Sequence, residues 1–228
     1  MITLTRELPE LGATEALAEG FARLLRAGDV VALAGPLGAG KTAFVRGVAG
    51  ALGVAPGLVS SPTFVVVNVY PVAGEGAVRA LVHVDAYRLG GADELDTLGW
   101  DRLFDGATRR ATGGGAALIE WPQRLEGALP ADAVRMTLEP TGADSRRVTL
   151  EVPDEWASRE GFDRLRDYPP TRCRVTGRWV SPLAASWPFV DERARLADLY
   201  GWFEGAYRTS RGVRADDEAG GESGDEPG

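Results

Sequence analysis

Asp29-Val-Val-Ala-Leu-Ala34 runs directly into Gly35-Pro-Leu-Gly-Ala-Gly-Lys-Thr42, and the junction of these two stretches decides the fold. The first is a short apolar run without alternation, the pattern of a strand buried on both faces. The second matches G-x-x-x-x-G-K-[ST] at every fixed position. Its glycines let a tight loop turn successive backbone N–H groups inward, and the helix that follows adds the positive end of its dipole. The spacing of Phe44, Val45, Val48 and Leu52 predicts that helix over residues 41–52, ended by Gly53. Strand, glycine turn and helix together predict a phosphate-binding loop. Gly35, Gly38, Ala39, Gly40 and Lys41 would cradle the phosphates, and the Thr42 hydroxyl would bind Mg²⁺.

Upstream, residues 13–27 place Leu17, Phe21, Leu24 and Leu25 on one face of an amphipathic helix, with Thr14 as its cap and Gly28 at its end. Downstream, strands are predicted at 63–70, 79–85 and 116–120, with a hairpin from 134–139 and 147–152 around Pro140–Asp144 and helical turns over 93–104. Strands mixed with helices predict an α/β fold, a mixed β-sheet flanked by helices.

Two apolar strands end in an acid: Leu81-Val-His-Val-Asp85 and Ala116-Ala-Leu-Ile-Glu120. An acid at the carboxyl end of a buried strand lies beside the ligand crevice of an open α/β sheet, where it can hold Mg²⁺ or orient water. Alone, each acid reads equally well as a strand-end cap; with the phosphate loop upstream, the ligand reading is the better one. His83 shares a strand face with Asp85, reads as a packed or capping histidine and is assigned no role.

Composition narrows the class. The chain has 228 residues and a net charge of −8. Residues 215–228 carry six acids and no base, so the body is near neutral and lacks the basic stripe of a stand-alone nucleic-acid binder. That Gly-rich acidic end is expected to be a disordered tail. Cys173 is the one cysteine, which excludes intramolecular disulfides and thiolate clusters. No membrane-spanning run and no secretory leader is read, so a cytoplasmic protein is expected. Lys41 is the one lysine among 25 Lys and Arg residues. The N-K-x-D motif of P-loop GTPases therefore cannot occur, and no L-S-G-G-Q signature is present; ATP is favoured over GTP.

In order and spacing, Gly35–Thr42, Ser61-Pro-Thr-Phe64, His83-Val-Asp-Ala-Tyr-Arg-Leu89, Asp93-Glu-Leu-Asp-Thr-Leu-Gly99 and Ile119-Glu-Trp-Pro122 resemble the TsaE (YjeE) family. The resemblance covers roughly residues 1–152. It implies a Mg²⁺-dependent P-loop ATPase that supports threonylcarbamoyladenosine (t6A) formation at position 37 of tRNA, with TsaD and TsaB as partners and tRNA reached through their complex. It implies that Lys41, Asp85 and Glu120 are catalytic and that Thr42, Asp85 and Glu120 hold the metal. By the same resemblance Thr63 is a switch-like threonine near the γ-phosphate and Trp121 lies at the nucleotide. More loosely, the segment around Thr14 and a basic residue in the last hairpin, taken as Arg147, lie near the nucleotide. Pro36 departs from the acid often found after the first loop glycine, at a position that uses backbone groups. The residues alone also allow a small-molecule kinase or a nucleotide-gated binding module.

The usual short family member lacks a counterpart of residues 153–214. This stretch holds Trp156, Trp179, Trp187 and Trp202, and Leu196, Leu199, Tyr200, Phe203 and Tyr207 recur at helical spacing over 191–208. It reads either as a layer packing on the first domain or as a docking surface. The expected organisation is an ATPase domain at 1–152, this extension at 153–214 and the tail at 215–228.

Overall fold

The computed structural model describes residues 1–55, 57–59, 67–73, 76–89, 114–125 and 127–203. Thr63 with the Ser61–Phe64 stretch, the helical turns expected over 93–104, residues 204–208 of the helix expected over 191–208 and the expected acidic tail lie outside these residues.

Seven strands form one mixed sheet in the order β1-β7-β6-β2-β5-β4-β3. They are β1 (Ile2–Leu8), β2 (Val30–Ala34), β3 (Val67–Pro71), β4 (Ala80–Asp85), β5 (Gly115–Glu120), β6 (Val134–Pro140) and β7 (Arg146–Val152). The centre is parallel, β2 lying between β5 and β6 with β4 beyond β5. Antiparallel pairs close both ends, β6–β7–β1 at one and β4–β3 at the other. β1 has no counterpart in the sequence reading, because its alternating Ile2-Thr-Leu-Thr-Arg-Glu-Leu8 becomes a strand only by pairing with β7 across the length of the chain.

β2, β4 and β5 are apolar apart from His83 and the acids that end β4 and β5, because both faces are covered. Val31, Leu33, Leu81 and Leu118 point into a large core shared with α1 (Leu11–Leu24) and α2 (Lys41–Ala51). Val30, Val82, Val84, Ala117 and Ile119 point into a smaller one on the opposite face. α2 ends as its glycine predicts: Gly53, at φ 85°, donates to Gly50 O and Val54 N donates to Ala49 O, pairing two carbonyls of the last turn. α1 starts earlier than predicted, at Leu11 behind Glu10, so Thr14 lies inside the helix, fully buried, and is no cap.

The extension packs as a layer on α1. Trp156 is buried and stacks on Phe21 with ring centroids 5.4 Å apart, while Phe21 contacts Phe44 of α2 at 5.5 Å. Phe162 and Leu165 of the short helix α3 (Phe162–Asp167) belong to the same core as the sheet. The approach is close enough to need Gly12, where a Cβ would stand 2.6 Å from the Trp179 ring. Arg159 clamps the layer from below: it donates to Leu24 O and forms a two-pronged ion pair with Asp29 at the entry to β2. A two-stranded ribbon, β8 (Thr171–Arg172) with β9 (Trp179–Val180), follows.

The last helix, α4 (Glu192–Phe203), departs from the expected amphipathic packing. Ala194 is buried with Cys173 and Val180, but Leu196, Leu199, Trp202 and Phe203 are exposed.

Candidate functional site

The site lies where β2, β4 and β5 end together. β2 delivers the chain into Gly35–Gly40, whose turn ends with Gly40 at φ 101° as the residue before α2. Gly35 is required twice over: its φ is 141°, and a Cβ there would meet the Leu138 carbonyl oxygen of β6 at 2.3 Å. The loop is thus pressed against the sheet with its free side facing outward.

Register brings the two predicted acids together. Asp85 is the direct partner of Glu120 in the β4–β5 pair, and Glu120 is also the partner of Leu33 in the β2–β5 pair. Both carboxylates are buried, at 4% and 3% exposure, and both line a cleft of about 360 Å³ with Gly38, Gly40, Lys41 and Thr42. The Thr42 hydroxyl donates to Glu120 Oε1 at 2.9 Å. Asp85 accepts the backbone N–H of Tyr87.

Lys41 is buried, its Nζ donating to Gly35 O at 2.8 Å and Pro36 O at 2.9 Å. Burial pushes the ammonium below the ordinary lysine range, against the opposing pull of Glu120 and Asp85. The Trp121 ring lies over it, 3.9 Å from Nζ to the centroid, and the Tyr87 ring tilts against that tryptophan with centroids 4.9 Å apart. Trp121 holds φ at 61°, a conformation strained for a bulky residue, which turns its ring back over the loop immediately after β5 ends.

Of the predicted site residues, Gly35, Gly38, Ala39, Gly40, Lys41, Thr42, Asp85, Glu120 and Trp121 gather at this one end of the sheet; Thr63 lies outside the described residues. Arg147 is not at the site. It pairs with Glu7 at 2.5 Å, because alternation along β7 sends it away from the loop. Its neighbour Arg146 takes the expected place, beside Gly40 and 3.5 Å from the Thr14 hydroxyl. Arg46 and Tyr87, both lining the cleft, are additions the sequence reading did not make. Tyr87 stands two residues beyond Asp85, and Arg46 one helical turn beyond Thr42, so spacing from the predicted ligands could have found both.

The donor set suits a small hard cation. Among the described residues no three His, Cys, Asp or Glu side chains converge as a self-sufficient metal cage. One hydroxyl and two neighbouring carboxylates beside a phosphate loop are the protein share of a Mg²⁺ site that substrate phosphates complete.

The sequence model for the threonylcarbamoyl adenosine biosynthesis protein TsaE matches residues 8–148, which contain every element lining the cleft. The protein of that name from Streptomyces coelicolor is 40% identical over 148 residues, covering 62% of this chain and 93% of its own length. The one from Bacillus subtilis is 37% identical over 137 residues, covering 60% and 78%. Among solved structures, Bacillus subtilis YdiB superposes with a TM-score of 0.54 at 29% identity, over 69% of this chain and 90% of its own. The phosphate loop, the paired strand-end acids and the mixed sheet thus sit within one matched region, and the chain belongs to the TsaE family.

Proposed function

We propose that this protein is a Mg²⁺-dependent ATPase that supports t6A modification of tRNA, acting with TsaD and TsaB and meeting tRNA through their complex. Its family relatives carry the name tRNA threonylcarbamoyladenosine biosynthesis protein. The observation that carries the hydrolytic part is the 2.9 Å hydrogen bond from Thr42 to Glu120, beside Asp85 and at the mouth of the Gly35–Thr42 loop.

In this reading the loop amides and Lys41 bind the phosphates, and Lys41 exchanges its bonds to Gly35 O and Pro36 O for phosphate oxygens. Thr42, Asp85 and Glu120 would hold Mg²⁺, which would supply charge neutralisation at the phosphates. Glu120, the acid in contact with both α2 and β4, orients the attacking water. Trp121 and Tyr87 wall the cleft and limit water at Lys41.

Glu120→Gln tests the proposal. The variant is expected to bind ATP·Mg²⁺, to lose hydrolysis, and to fail at repeated turnover when t6A synthesis is reconstituted with TsaD, TsaB and tRNA. Full multiple-turnover modification by the variant would overturn a hydrolysis-driven role and leave a nucleotide-gated binding module. Acceptor-dependent ADP release in a metabolite screen would point to a kinase instead.

A further inference from the structure

The single histidine of the chain is fully buried under the site. His83 Nε2 lies 2.9 Å from Glu120 Oε1, and His83 Nδ1 is buried with no hydrogen-bond partner. An ionised carboxylate only accepts, so the Nε2 atom is the donor of this hydrogen bond. A buried ring nitrogen without a partner costs stability, and such exceptions in a folded chain call for an explanation.

Geometry supplies one. Glu120 Oε1 is held from two sides, by the Thr42 hydroxyl of α2 and by His83 of β4. The first holder sits on the phosphate loop's own helix. The second reaches across two paired, buried strands, since His83 stands opposite Leu118 and two residues before the Asp85–Glu120 pair. We propose that His83 is a positioning residue: its Nε2–H fixes the rotamer of Glu120 from within the sheet, whatever Thr42 engages in the cleft. This rests on the proposed role of Glu120 in hydrolysis.

Three full-length variants and one spectrum test it. His83→Leu removes the donor, His83→Gln places an amide N–H close to the former Nε2, and Glu120→Gln checks the underlying reading. His83→Leu is expected to lower kcat for ATP hydrolysis by about 10²-fold, the scale of a misplaced reacting group, with nucleotide affinity unchanged. His83→Gln is expected to recover most of that loss. Wild-type kcat in a folded His83→Leu, or equal losses in the Leu and Gln variants, would overturn the inference. If Glu120→Gln itself hydrolyses ATP normally, the proposed function fails instead. Long-range ¹H–¹⁵N correlation on the wild type reads the lone imidazole directly and does not depend on whether a variant folds. A proton on Nε2 is expected, and an Nε2 that carries none would overturn the assignment.

Discussion

Asp85 and Glu120 are register partners at the carboxyl ends of adjacent parallel strands, both nearly inaccessible to solvent, and both act on the same buried cation, Lys41. Two like charges side by side in the interior are tolerable when a cation or a metal shares the space. Removing either acid therefore weakens the electrostatic support of the Lys41 ammonium.

A pH dependence follows from Lys41. Burial lowers its pKa from the ordinary 10.5, more than Glu120 and Asp85 raise it. Between the lowered value and 10.5 the unfolded chain holds a proton that the folded chain has released, so the stability of the nucleotide-free protein rises with pH across that window. Nucleotide affinity moves the opposite way, because the neutral amine loses its attraction for phosphate. As the chain has one lysine, a ¹³Cε-lysine label gives one side-chain titration curve. Its midpoint is expected below 10.5 and lower still in Asp85→Asn.

Gly35→Ala is expected to abolish nucleotide binding while leaving a folded protein. The added Cβ would overlap the Leu138 carbonyl at 2.3 Å and face a positive φ, so the loop must leave the sheet edge. Calorimetric titration of ATP·Mg²⁺ measures the loss, and circular dichroism checks the fold. Gly38→Ala meets no atom within 4 Å and pays only for its positive φ, so it is expected to weaken binding far less.

Trp121→Gly separates two roles of one residue. Glycine adopts a φ of 61° freely, relieving about 1–3 kcal/mol of backbone strain. It also strips the ring from Lys41. Acylation of Lys41 by a mild amine reagent is expected to speed up in this variant and to be blocked by ATP·Mg²⁺ in the wild type. Labelling of wild-type Lys41 that leaves ATP affinity unchanged would remove Lys41 from the site.

Arg159→Leu is expected to destabilise the protein by about 1–3 kcal/mol, the scale of charge-assisted hydrogen bonds lost from a half-buried ion pair. The clamp ties the extension to Asp29, and Arg159 also lies over the Trp156 ring at 3.8 Å. Denaturant unfolding reads the loss. Removing residues 153–228 exposes the Phe21 face that Trp156 covers, so the shortened chain is expected to be less stable still, with the cleft residues retained.

Most of the site was legible because a phosphate loop is a local device. Spacing within 35–42 specifies the turn, and an apolar run ending in an acid marks a strand end at a crevice. Arg146 and Arg147 show where this stops. Both are basic and adjacent, and one residue of register on β7 sends the first toward Gly40 and the second toward Glu7. His83 is similar: its alternation with Asp85 was readable, but its partner Glu120 lies on another strand.

The amino-acid sequence by itself determined the phosphate loop, the strand-end acids, the lone lysine among them and the α/β class, because each depends on local geometry or apolar spacing. Tertiary structure alone decided that β1 joins the sheet beside β7, that Asp85 and Glu120 are neighbours, and that the aromatic extension becomes a layer over α1. Those outcomes depend on strand register and on which faces remain uncovered, and both are set by contacts between residues far apart in the chain.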